Sequence, residues 1–237
     1  MTTVLLVHGA WHGAWCWEPA VRALEARGLR AVAPDLPMTS LRADVDCVSA
    51  AIRRHASGPL LVCGHSYGGV VITQASAEAA GAAQLVYLAA FVPDRGESLG
   101  SLIVQGPQTA LASAVVFGSG ETSTIDPAQA TDVFYHDCSE ALARDAIHRL
   151  RAYSAACFQT PVDRVGWREI PSSYIVCRDD RAIHPDAQRR MAERTGRVVE
   201  IPGSHSPFLA QPERLAEEIA ELASGAGVEP IASRRRP

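Results

Sequence analysis

The chain has 237 residues, 22 basic and 26 acidic side chains, and a hydrophobic fraction of 47%. That length favours one domain with room for an insertion, and the composition is that of a globular protein rather than a disordered or fibrous one. The formal net charge of −4 argues against a nucleic-acid-binding surface, and no apolar stretch is long enough to span a bilayer.

The start, Met1-Thr2-Thr3, runs directly into the apolar Val4–Val7 without a basic segment or a cleavage site. This predicts no signal peptide and a cytoplasmic location. Val4–Val7 reads as a first strand. Glu18–Arg27 follows, with Val21 and Leu24 on one face. Leu29–Ala33 reads as a second strand stopped by Pro34. Leu41, Val45, Val48 and Ile52 recur at helical spacing. Leu60–Cys63 is the third strand, and the helix beyond it runs to about Ala80, where Gly81 ends it. Leu85–Phe91 is the fourth strand, Tyr174–Cys177 the fifth and Val198–Ile201 the sixth. Pro185–Thr195 is a helix with proline at its start, and Leu215, Ile219 and Leu222 mark a final helix.

This alternation predicts an α/β chain with a six-stranded, mainly parallel sheet flanked by helices. It breaks once, between Pro93 and about Ile170, where helix-like Ala141–Tyr153 and several aromatics replace it. Long structureless loops are uncommon in compact domains, so residues 93–170 are expected to form a cap inserted after the fourth strand. Residues 1–92 and 171–224 then form the core. The tail, 225–237, is expected to be flexible, with Arg234-Arg235-Arg236 part of a frayed terminus. The six cysteines, Cys16, Cys47, Cys63, Cys138, Cys157 and Cys177, form no C-x-x-C pair and are expected to be reduced.

Gly64-His65-Ser66-Tyr67-Gly68 matches G-x-S-x-G and sits between the third strand and a helix. The glycines allow a sharp strand-to-helix turn that leaves Ser66 on a strained tip. A serine nucleophile needs a base, and the base needs an orienting acid. In a doubly wound sheet both come from loops at the carboxyl ends of strands. One such loop reads Arg178-Asp179-Asp180-Arg181, and another reads Pro202-Gly203-Ser204-His205-Ser206-Pro207. His205 is the base candidate. Asp179, Asp180 and Asp94 are the candidates for the acid. An oxyanion hole requires two backbone N–H groups. Tyr67, directly after the nucleophile, supplies one, and Ala10, after the first strand in His8-Gly9-Ala10-Trp11, supplies the other. Substrate contacts are expected from Trp11, Phe91, Tyr153, Phe158 and Phe208. Tyr67, Phe117 and Trp167 are further aromatics placed near the site.

These residues resemble an α/β-hydrolase of the plant methylesterase and hydroxynitrile lyase group. The resemblance rests on Leu6–Trp15, on the Gly64–Gly69 elbow and on Leu88-Ala89-Ala90-Phe91-Val92-Pro93. It continues through Phe134-Tyr135-His136-Asp137-Cys138 and Tyr174–Ile183. It implies the α/β-hydrolase fold with a cap, and it selects Asp180 as the acid and His205 as the base. The lyases of this group carry a lysine where this chain has Ser206, and a threonine where it has Gly9. Both departures turn the expectation toward a serine esterase acting on a small to medium apolar or aromatic ester or lactone through an acyl-enzyme. The alternatives are a lyase or carbon–carbon bond-cleaving enzyme, a thioesterase or cyclase, and a ligand receptor. No cofactor or metal is expected, because the Asp179–Asp180 pair is too sparse for a metal site. The expected partner is a small-molecule substrate, with no nucleic acid and no membrane; a homodimer is left open.

Overall fold

In the computed structural model, which describes residues 1–118 and 121–225, the fold is built on a sheet of six strands, β1 (Thr3–Val7), β2 (Arg30–Val32), β3 (Leu60–His65), β4 (Gln84–Leu88), β8 (Ser172–Cys177) and β9 (Arg197–Ile201). Their order is β2-β1-β3-β4-β8-β9, and every neighbouring pair is parallel. The tail beyond Gly225 lies outside the described residues.

Every residue of β1, β3, β4 and β8 is buried, as in a parallel sheet covered on both faces. On one face α2 (Leu41–His55) packs against α3 (Gly68–Glu78); on the other α1 (Glu18–Glu25) packs against α11 (Pro212–Ala223). Ser40 caps α2 by accepting from the Ala43 amide at 3.1 Å. The spacing of Leu41, Val45, Val48 and Ile52 places all four in the core.

The segment between β4 and β8 carries α4 (Leu99–Ile103), α5 (Leu111–Ala114), α6 (Pro127–Phe134), α7 (Glu140–His148) and α8 (Ala155–Gln159). It also holds a small antiparallel sheet of β5 (Val115–Phe117), β6 (Thr122–Ile125) and β7 (Tyr153–Ser154), which the sequence reading did not anticipate. The helix expected over Ala141–Tyr153 is Glu140–His148 instead. Arg151 is drawn out of the helical path because its amide and guanidinium donate to the carbonyls of Trp11 and His12, both at 2.9 Å. Tyr153 thereby enters β7.

The fourth strand stops at Leu88 rather than Phe91. Ala89 turns left-handed with φ of 41°, and Tyr174 bridges the turn, accepting from the Ala90 amide and donating to its carbonyl. After β8 come α9 (Pro185–Ala192), β9 and then the short α10 (Pro207–Ala210), which precedes α11. All six cysteines are free thiols.

Candidate active site

The elbow joins β3 to α3 with Ser66 at φ of 52°. A non-glycine residue in this left-handed region is uncommon, and the turn must be held by its surroundings. The Ser66 amide donates to Leu88, and the Ser66 carbonyl accepts from Phe91 and Gly69. The glycines are sterically required. A Cβ on Gly64 would lie 2.6 Å from the Gly68 carbonyl oxygen, and one on Gly68 would lie 2.5 Å from that of Val7.

His205 follows β9 and is almost fully buried. Its Nδ1–H donates to Asp180 Oδ2 at 2.7 Å, an arrangement that leaves Nε2 as the acceptor nitrogen of the neutral ring. Asp180 is saturated. Its Oδ1 accepts from the amides of Ala182 and Ile183 at 2.7 and 2.9 Å, and its Oδ2 also accepts from Gln188 Nε2 at 2.8 Å. Gln188, fully buried on α9, also receives the Cys177 amide, so it ties Asp180 to the end of β8.

The other two acid candidates are occupied elsewhere. Asp94 is bonded to Arg168, and Asp179 accepts from the Gly203 amide at 2.7 Å, closing the loop that carries His205. The His136-Asp137 pair reinforces that closure. His136 donates to the Asp179 carbonyl, and Asp137 accepts from the Ser204 amide at 2.8 Å.

Three further buried histidines surround the site, and the sequence reading gave them no role. His65 donates from Nε2 to the His205 carbonyl at 2.9 Å, and the two rings lie 4.5 Å apart. Burial, then the nearby His205 and His12 rings, hold the His65 imidazole well below its ordinary range; its Nδ1 has no partner. His12 donates to the Ala10 carbonyl and accepts from Tyr135, and burial lowers its pKa to about 3. His8 donates to the Gly9 carbonyl and accepts from the Leu36 amide at 3.0 Å. His12 and His65 thus remain neutral braces, His12 on the Ala10 carbonyl and His65 on the carbonyl of His205.

Asp44 was also missed. It is a fully buried acid one residue before Val45 on the core face of α2. It accepts from Tyr67 Oη and from the Met38 amide, each at 2.7 Å, and from Cys157 Sγ at 3.6 Å. Burial raises its pKa, and the Tyr67 hydrogen bond opposes that rise. The side chain of Tyr67, directly after Ser66, is therefore tethered from below. An acid on a mostly apolar helical face is the sequence signal that would have found Asp44.

Ser66, Ala10 and Tyr67 line one cavity of about 740 Å³, together with Trp11, Phe91, Tyr153 and Phe158. Tyr67 opens α3, so its amide lies at the positive end of a helix. Trp11 contacts Tyr153 at 5.5 Å between ring centres and donates from Nε1 to Ser123 on β6. Phe208 does not reach the cavity. It is fully buried behind the site, with its ring centre 4.8 Å from those of Trp17 and His65, because α10 turns it into the core. Phe117 lines the cavity mouth, while Trp167 lies outside and donates to the Pro93 carbonyl. The cavity's Leu99, Leu102, Ile103 and Leu111 carry no signature that sequence reading could use.

A parallel sheet in this order, with a serine elbow after β3 and an acid and a histidine after β8 and β9, defines a hydrolase of the doubly wound α/β class. Residues 4–218 match the model of the alpha/beta hydrolase family, and the chain belongs to that family. It is 31% identical to a pyrethroid hydrolase of Sphingobium wenxiniae, over 94% of this chain and 88% of that one. It is 25% identical to methylesterase 2 of Arabidopsis thaliana, over 92% and 95% of the two chains. A crystal structure of a pyrethroid hydrolase superposes with a TM-score of 0.84 at 29% identity, covering 95% of this chain and 99% of that one. Among the described residues, no helix is long and apolar enough to cross a membrane and no cluster of histidine, cysteine or acidic side chains could hold a metal ion.

Proposed function

We propose that the chain is a carboxylic ester hydrolase that works through an acyl-enzyme on Ser66. The observation that carries this reading is the His205–Asp180 pair, 2.7 Å apart and saturated with donors on its acid side, on the loops beside the strained Ser66. In the mechanism, His205 Nε2 takes the Ser66 proton as Oγ attacks the ester carbonyl. Asp180 holds the tautomer and stabilises the imidazolium. The Ala10 and Tyr67 amides receive the oxyanion. His205 then protonates the leaving alcohol, and water attacks the acyl-enzyme by the same route.

The cavity volume suits a drug-sized ester or lactone, and Trp11, Phe91, Tyr153, Leu99 and Leu102 suit an apolar or aromatic body. Cyanohydrin cleavage is disfavoured. Ser206 stands where the related lyases carry a lysine, and it is fully buried, so it offers no cation to hold a leaving anion. The test is Ser66→Ala, assayed on a series of p-nitrophenyl and methyl esters and by labelling with a fluorophosphonate. Loss of both signals is expected. Turnover that survives the substitution overturns the serine assignment.

A further inference from the structure

The cavity is mostly apolar, but its charged lining has one sign only. Arg190, Arg194 and His184 border it, and among the described residues no aspartate or glutamate does. This is unexpected in a chain whose formal net charge is −4. The three basic groups are not equivalent. Arg194 is engaged by Glu97 and by the Val92 carbonyl, and its charge is neutralised there. His184 accepts from the Asp186 amide at the start of its own helix. Among the described residues, Arg190 has no acidic partner. Its Nη2 donates to the Gln105 carbonyl at 3.3 Å across the cavity mouth.

Helix geometry explains why this arginine, and not its neighbour, faces the cavity. Ala187, Arg190, Met191 and Arg194 line it, and their spacing of three, four and seven residues places them on one face of the helix and its continuation. Arg189 points the other way and is consumed by Glu200 and Asp186. The same helix holds Asp180 through Gln188, so the acid of the site and the cation of the mouth share one rigid support.

We propose that the ester substrate carries a carboxylate at the end remote from its scissile carbonyl, and that Arg190 receives it. This rests on the serine-ester reading above and specifies its substrate class: an amphiphilic ester with an apolar body and an anionic tail. A guanidinium presents a planar fork that a carboxylate meets with two parallel hydrogen bonds. Because Arg190 is exposed, water and salt screen the pair, so the selectivity it gives is moderate rather than absolute.

The test uses p-nitrophenyl hemiesters of straight-chain dicarboxylic acids of increasing length, each beside its neutral methyl-capped twin of equal chain length. They are assayed with the wild-type chain, Arg190→Gln, Arg190→Lys and Arg53→Gln, the last a control for net charge on exposed α2 surface. At the matching length, kcat/KM for the anionic ester should exceed that for its twin by roughly fivefold, mainly through KM. Arg190→Gln should bring the ratio to about one, Arg190→Lys should retain part of it, and Arg53→Gln should leave it unchanged. Added salt should lower the wild-type ratio. A second readout, labelling of Ser66 by a fluorophosphonate with a terminal carboxylate against its methyl ester, should follow the same order. A ratio that favours the neutral twin at every length, or that ignores Arg190→Gln, overturns this proposal and leaves the esterase reading intact. Hydrolysis that persists in Ser66→Ala overturns the reading beneath it instead.

Discussion

Tyr67→Phe removes one hydroxyl and nothing else from the floor of the site. In the intact protein that hydroxyl donates to Asp44 at 2.7 Å, leaving the Met38 amide at 2.7 Å and the weak Cys157 thiol at 3.6 Å as the remaining donors. A hydrogen bond to a buried charged group is worth about 1.5–3 kcal/mol, and the carboxylate keeps its full desolvation penalty when the donor is lost. The expected destabilisation at neutral pH is about 2 kcal/mol, or a Tm lower by about 4–8 °C for a domain of this size. The sign with pH follows from Asp44. Burial already raises its folded pKa above the unfolded value, and the Tyr67 bond holds that rise down. A raised carboxylate contributes stability that is fully present below the unfolded pKa and is lost as pH rises through the folded one. Removing the restraint moves the folded pKa higher and enlarges the loss. The gap between wild type and variant should be wide at pH 7 and should close as the solution approaches the ordinary carboxylate range near pH 4. Urea melts at a series of pH values measure the gap directly, and effects common to both proteins cancel. In an Asp44→Asn background the same substitution should give a gap that does not change with pH. A wild-type-background gap that is absent, or constant from pH 4 to 7.5, refutes the tether.

Asp180→Asn should lower kcat by roughly 10³–10⁴-fold with the fold intact, as expected when a triad histidine loses its tautomer control; Asp94→Asn should stay within about tenfold of wild type, because Asp94 is bonded to Arg168 away from the cavity. Steady-state kinetics on one activated ester separates the two outcomes. Gly9→Thr should abolish hydrolysis without creating cyanohydrin cleavage. A Cβ at this position would stand 2.8 Å from the Ser66 Cβ and 3.0 Å from His65 Nδ1; an active Gly9→Thr enzyme would show that the elbow yields more readily than its packing implies. Acid should destabilise the fold below the ordinary histidine range. His12, lowered to about 3, and His65, also lowered, contribute stability present above pH 6.5 that falls as the unfolded chain takes up protons the folded chain refuses. The fall should run from about pH 6.5 toward pH 3, and His12→Gln should flatten it in thermal melts; an unchanged slope would remove His12 from the cause.

The strands were legible because parallel, doubly covered strands are short continuous apolar runs, and Val4–Val7, Leu60–Cys63 and Tyr174–Cys177 are such runs. The elbow was legible because its glycines answer a local steric demand that sequence spacing records. What escaped is what depends on distant partners. Arg151 leaves its helix for carbonyls some 140 residues away in sequence, and Phe208 looks like a site aromatic until α10 turns it behind His65. Gln188 and Asp44 are polar residues on buried helical faces, visible only as breaks in an apolar pattern, and their purpose depends on Asp180 and Tyr67 being brought to them.

The same dependence bears on how the segment between β4 and β8 serves the chemistry. Trp11, directly after the proposed oxyanion donor Ala10, has φ of 60°, a conformation that costs a bulky residue about 1–3 kcal/mol. The groups that hold it there come largely from that segment. The Arg151 amide donates to its carbonyl, Ser123 accepts from its indole, and the Tyr153 ring packs against it. The Arg151 guanidinium extends the grip to the His12 and Leu36 carbonyls and to both oxygens of Asp35. The loop that presents Ala10 is therefore fixed from above by that segment, whose Ser123 and Tyr153 also wall the cavity, and not only by the strand it follows. Tyr153 also meets the ring of Tyr67 at 5.1 Å, so one aromatic side chain touches Tyr67 and the residue directly after Ala10. In the proposed enzyme, a substrate body that displaces Tyr153 would act on Tyr67 directly and on the Ala10 loop through Trp11. Selectivity in this arrangement should be read in kcat as well as in KM, because the surface proposed to recognise the ester also aims the amides proposed to stabilise its transition state.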